Sequence, residues 1–163
     1  MFNIGDTVLY KGHGLVKVVG IPKSRFGGIE AAEEIYYMLK SARTPLSGTK
    51  LLVRVNGADR VLRYPISVDD AKGLIALLEE EAAELPEDHM ERMRILDEIA
   101  DRNDYNELAA LVRDYRESRL LNLDRVEITR IKAIARNLAE EICYVLKVNR
   151  PALKGKLSIR SVT

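Results

Sequence analysis

A chain of 163 residues, 47% hydrophobic and 31% charged, has the makeup of a folded globular protein and excludes wholesale disorder. Its length allows one compact domain or two small ones, and its one cysteine, Cys143, excludes an intramolecular disulfide and fits a reducing compartment. The net charge of +1 hides an uneven distribution: residues 1–66 hold ten Lys/Arg against five acids, residues 79–91 hold seven acids and no Lys or Arg, and residues 125–160 hold nine Lys/Arg against three acids. A basic C-terminal third can meet phosphates, whereas the acidic stretch repels them; a solvated helix face and a charged tail are the alternative reading. No apolar run is long enough to span a bilayer, and no cationic segment leads into an apolar one near Met1, so a cytoplasmic protein is expected.

The first third reads as β-structure. Val8 and Tyr10 alternate with Thr7 and Leu9, a Gly12-His13-Gly14 turn follows, and residues 15–21 form a second β-rich run, a pattern that predicts a hairpin. Residues 35–39, 50–55 and 60–64 read as further strands, the last two joined at Asn56-Gly57, a strong tight-turn signal. Five such strands bury little in an open sheet, so a small closed or nearly closed barrel is expected.

The pattern changes at Pro65. Ser67-Val68-Asp69-Asp70 predicts a helix N-cap with acids in the first turn, followed by Ala71, Leu74, Ile75, Leu77 and Leu78 at helical spacing. Pro86 interrupts, and Met93, Leu96, Ile99 and Ala100 mark a second helix. Asn103-Asp104 separates it from a third, marked by Leu108, Leu111, Val112 and Tyr115. Asp124 and Glu127 have capping-box spacing and open the longest helix, whose inner face runs from Ile128 through Ile131, Ile134, Ala135, Leu138 and Ile142 to Val145. The expected fold is α+β: a β domain over 1–66, a four-helix domain over 67–148, and a basic, loosely held tail over 149–163.

The order Phe2-x-x-Gly5-Asp6-x-Val8-x-Tyr10-x-x-His13-Gly14 is more specific than a hairpin requires. It resembles the opening of the bacterial CarD/CdnL transcription regulators, a module shared with transcription-repair coupling factors. Leu111-Val112-Arg113-Asp114-Tyr115 is similar to a helical segment of that family. The resemblance extends to about residue 148, specific in the hairpin and weaker in the helices. It implies a Tudor-like β domain that grips the β-subunit lobe of RNA polymerase through a strand edge, and a helical domain at the upstream edge of the promoter DNA bubble. Phe26 and Arg54 match the family's apolar and basic polymerase contacts, with Lys23 and Arg25 as neighbours; a barrel-plugging Phe26 and a solvated Arg54 are the alternatives. Family members wedge a tryptophan into the DNA junction near the start of the second helix. This chain has no tryptophan, and the matching position falls at Asp88 or His89. Aromatic stacking on a base is worth roughly 1–3 kcal/mol, so junction binding is expected to be weaker here.

The basic candidates for a phosphate backbone are Arg94, Arg113, Arg116, Arg125, Lys132 and Arg136, with His89 as the stacking ring. Arg125, Lys132 and Arg136 lie seven and four apart, which puts them on one stripe. Each is equally readable as a surface charge in an ion pair, for example Arg130 with Glu127. A tyrosine cage from Tyr10, Tyr36 and Tyr37 is disfavoured, because neighbouring residues on a strand face opposite ways. Nothing points to an enzyme or a cofactor. His13 fits a turn role and Cys143 an inert helix position; two histidines and one cysteine are too few for a closed zinc site, and no glycine-rich phosphate loop is present. The partners to expect are RNA polymerase and promoter DNA, or polymerase alone for an adaptor without DNA contact.

Overall fold

Among the described residues, period-two alternation in the first third of the chain becomes an antiparallel sheet of six strands, and the 3.6-residue pattern after Pro65 becomes four helices. The computed structural model describes residues 1–24, 32–42, 48–118, 123–149, 153 and 155–157. The chain divides into two units, Met1–Pro65 and Ile66–Thr163. No helix among the described residues is long and apolar enough to cross a membrane.

In the first unit, β1 (Thr7–Tyr10) and β2 (Gly14–Gly20) form the expected hairpin, with Val8 opposite Val16. β4 (Glu34–Ser41) pairs with β2 along one edge, where Val18 faces Leu39, and with β5 (Leu51–Arg54) along the other, where Leu39 faces Leu51. A bulge at Val18–Gly20 shifts the register, and β3 (Lys23–Ser24) carries the pairing on beside Glu34 and Ile35. Val8, Val16, Val18, Tyr37, Leu39, Ala58 and Leu62 form the core on one face.

Two expectations change here. Asn56-Gly57 does not join two paired strands: Gly57, at φ 83°, caps a 3₁₀ turn over Ala58–Arg60, and β6 (Leu62–Arg63) pairs with β1 instead. The reason is Ala58, which is 3% exposed and plugs the core, drawing the chain across the sheet end. β5 and β6 therefore stand at the two ends of the sheet without pairing among the described residues, and the sheet is open.

In the second unit, α1 (Val68–Leu77) starts with the reciprocal Ser67–Asp70 capping box. α2 (His89–Arg102) is capped by Asp88 and ends at Asn103, whose φ of 54° is the left-handed turn that releases the chain into α3 (Tyr105–Glu117). α4 (Arg125–Leu146) starts with the Asp124–Glu127 box and buries Ile128, Ile131, Ala135, Leu138 and Ile142. The loosely held tail is corrected at two of its described residues. Leu153 and Leu157, four apart, are 4% and 8% exposed and join this core.

Among the described residues, three charged side chains are buried in the helical unit: Arg92, Glu127 and Glu141. Glu141 accepts the Ile66 amide at 3.0 Å, pinning the chain's entry onto α4. Glu127 takes Arg92 Nε at 2.7 Å on Oε1, and the Tyr115 hydroxyl donates to the same oxygen. Its Oε2 accepts Arg92 Nη2 at 3.3 Å and the Asp124 amide at 3.2 Å. Arg92 Nη1 donates to the carbonyls of Pro86, at 2.9 Å, and Glu87, at 2.7 Å. One ion pair thus joins α2, α3, α4 and the loop before α2. Burial pushes the Glu127 carboxyl up, but hydrogen bonds from Arg92, Tyr115 and the Asp124 amide outweigh it and hold the group below its ordinary value of 4.5.

Removing either charge leaves the other buried and uncompensated, at a cost of about 3–5 kcal/mol. Arg92→Ala and Glu127→Ala are each expected to destabilise the protein on that scale in urea titrations. Arg92→Met with Glu127→Leu should cost less than the two single changes added. Because the folded state holds Glu127 below 4.5, its contribution is full above that pH and is lost as pH falls through the lower folded value. Glu127→Gln should flatten the stability profile in that acid window, measured by urea titration at stepped pH.

Candidate functional site

Cross-strand pairing places Arg54, the last residue of β5, opposite Tyr36. Arg54 Nε lies 2.9 Å from Glu34 Oε2, and the Tyr36 hydroxyl donates to that same oxygen at 2.7 Å. The Glu34 hydrogen bond, followed by burial, pushes the Tyr36 hydroxyl up and keeps it a donor. Arg54 is thus aimed by Glu34 while its side chain stays 64% exposed. It borders a recess of about 340 Å³ lined also by Glu34, Ile35, Val55 and Asn56. Ile35 and Leu52 expose apolar surface nearby. The edge of β5 away from β4 has no strand partner among the described residues, which leaves main-chain donors and acceptors open to an added strand. Lys23 is exposed on β3. Arg25 and Phe26 lie outside the described residues.

The residues of the opening motif build the sheet end. Asp6 Oδ2 accepts the Asn3 amide at 2.9 Å and the Tyr64 hydroxyl at 3.0 Å, and the Phe2 ring packs edge-on to Tyr37 and Tyr64. Gly5, at φ 100°, sends its amide to the Val18 carbonyl. Tyr10 stacks on His13 at 4.4 Å between ring centroids.

In the helical unit the basic candidates separate. Arg125, Lys132 and Arg136 are exposed along α4, as their spacing predicts. Arg94 is exposed and pairs with Glu98 at 2.6 Å, one turn on. Arg113 and Arg116 differ from these: both are mostly buried and engaged in internal contacts. Arg113 binds Asp114 at 2.8 Å and Glu80 at 3.5 Å. Arg116 holds the Leu78 carbonyl at 2.7 Å, the Lys156 carbonyl and the Glu117 carboxylate. Arg130 pairs with Asp97 at 2.6 Å rather than with Glu127, whose carboxylate faces inward.

Asp88, one of the two candidates for the wedge position, caps α2 and accepts the Glu91 amide. His89, the other, is half-exposed, with Nδ1 3.3 Å from Glu127 Oε2. Sequence reasoning missed Met90, which is 72% exposed beside it. It also missed Arg92, which lies four residues before Leu96 and so in phase with the apolar face of α2.

The β unit thus sets an oriented Arg54 beside a strand edge of a small open sheet. A family model of the CarD-like/TRCF RID domain matches residues 2–65. The β unit is therefore a Tudor-like domain of the RNA polymerase-interacting class, a non-catalytic family, and the chain has a general role linked to transcription. The match over these residues is consistent with a CarD-like family member. A search of curated proteins found no significant match to the chain.

The two groups of arginines should respond oppositely to truncation. Arg116→Ala leaves two helix-end and loop carbonyls without their donor and is expected to cost about 1–3 kcal/mol. Arg94→Ala removes one exposed pair and should stay within about 0.5 kcal/mol. Thermal melts of the two variants would check the contrast, and equal losses would overturn the assignment.

Proposed function

We propose that this chain is a transcription regulator that docks on the β-subunit lobe of bacterial RNA polymerase through its β unit and modulates promoter open-complex stability by meeting upstream fork DNA with its helical unit. The observation that carries the reading is the RID-domain match over residues 2–65, together with an exposed Arg54 oriented at an open strand edge. Strand addition supplies main-chain hydrogen bonds, and Arg54 adds a charged contact that fixes register. Lys23, Arg25 and Phe26 are assigned to the same contact from the family resemblance.

For DNA, the reading rests on Arg125, Lys132 and Arg136 on α4 and on Arg94. They track a phosphate backbone without reading bases. His89 and Met90 stand at the start of α2 in place of an aromatic wedge, and methionine is among the apolar side chains that insert between base steps. Tethering to polymerase raises the local concentration of DNA, so contacts weaker than an aromatic wedge suffice. A second reading, an adaptor that binds polymerase without DNA, is favoured by the commitment of Arg113 and Arg116 to internal contacts.

Binding of the full chain to a bacterial polymerase β-lobe fragment is the decisive test. Arg54→Glu is expected to weaken it about tenfold or more; unchanged binding would sink the interface assignment. On forked promoter DNA, Lys132→Glu with Arg136→Glu should lower the slope of log affinity against log salt by about 2. An unchanged slope would favour the adaptor.

A further inference from the structure

The sheet has a second charged feature, separate from Arg54. Lys17 on β2 stands directly opposite Lys40 on β4. β4 and β5 pair as far as Leu39 opposite Leu51, and Lys50 is the residue that leads into β5. Val16, Val18 and Leu39 point into the core, so alternation turns Lys17 and Lys40 to the opposite face. Among the described residues no carboxylate pairs with Lys17, Lys40 or Lys50, while Arg54, one edge of the same face, is held by Glu34. Like charges directly across a strand pair disfavour the fold, and among the described residues nothing offsets that cost for this row.

The next row on that face is apolar. Met38 stands opposite Leu52, and Leu52 is 41% exposed. Val19, in the bulge of β2, is 37% exposed. We infer that this face of β2, β4 and β5 is a docking surface for a protein segment that carries carboxylates beside apolar side chains. A phosphodiester backbone answers the lysines but leaves Met38, Leu52 and Val19 uncovered. An acidic, partly apolar protein surface answers both rows. The inference rests on the polymerase-binding reading and gives the chemistry of the surface that the β unit meets there.

The test uses the full chain carrying Lys17→Glu, Lys40→Glu and Lys50→Glu together, with Arg54 intact. Affinity for the polymerase β-lobe fragment should fall about tenfold or more at low ionic strength, mainly through slower association. The difference should shrink toward high salt. The corresponding triple Lys→Arg variant should keep the affinity. Lys40→Glu alone replaces cross-strand repulsion by attraction and should raise the melting temperature by about 2–5 °C while weakening binding, a combination that unfolding cannot produce.

Wild-type binding of the fragment that Arg54→Glu weakens but the lysine triple leaves unchanged would overturn the inference and keep the polymerase reading. A triple that loses affinity only for duplex DNA would also overturn it, reassigning the row to phosphates. No binding by the wild-type chain would end both readings, and that control tells the cases apart.

Discussion

The helical unit depends on one carboxylate. Glu127 sits in the first turn of α4, where an acid already favours the helix dipole and completes a capping box with Asp124. The same carboxylate is buried against Arg92 of α2 and accepts the Tyr115 hydroxyl of α3. Arg92 in turn gathers the carbonyls of Pro86 and Glu87, so the loop that leads into α2 is fixed by the side chain that locks α2 to α4. An apolar pair could pack here in several ways. A guanidinium and a carboxylate with this many directed hydrogen bonds are satisfied in one arrangement, and a partly satisfied network inside a core is costly. The consequence is positional: the first residues of α2 and of α4 are brought together, with His89 against Glu127. That corner carries the exposed Met90 and Val126 and the cation Arg125.

The β unit is organised by a different constraint, the need to finish an open sheet. Phe2, Gly5 and Asp6 tie the leading segment to Val18, Tyr37 and Tyr64, and Ala58 fills the core where the chain crosses between the sheet ends. The motif that marks the family is therefore largely architectural. Arg54, by contrast, lies outside the motif on a strand whose pattern is unremarkable. A motif that specifies a scaffold can persist while the side chains displayed on its edge vary, and recognising the scaffold says less about the partner than the charges on its faces do.

How legible the fold was in the sequence follows the range of the forces involved. Helix starts at Ser67 and Asp124 and the break at Asn103-Asp104 depend on side chains bonding backbone within three residues, and these stand where the sequence puts them. The Asn56-Gly57 hairpin failed because a long-range event, burial of Ala58, outweighed a local turn preference. The Arg92–Glu127 pair was missed for a related reason. Each is in phase with an apolar stripe, four residues before Leu96 and Ile131 respectively, and opposite charges at in-phase positions on two helices are the pattern of a buried pair. Arg116, four residues after the buried Val112, carries the same warning. Arg125, Lys132 and Arg136 of α4 were legible because their seven- and four-residue spacing sets them on the exposed stripe of the helix.

Charge counts along the chain also lose meaning once pairs form. The acidic stretch after α1 looks hostile to phosphate, yet Glu79 is met by Lys156 and Glu80 by Arg113, and the Ala83 amide is tied to Asp114. An exposed pair such as Glu79 with Lys156 contributes little to stability. The larger effect is on the field, because the Glu79–Lys156 and Glu80–Arg113 pairs each remove one acid from the segment together with one base. The repulsive stretch is weaker than its composition suggests, and so is the basic C-terminal third. What remains is a smaller contrast on two separate units: lysines in register on a sheet face, and cations along α4 with Arg125 at a helix corner. Binding through the two surfaces together gains from linkage what neither gains from charge alone.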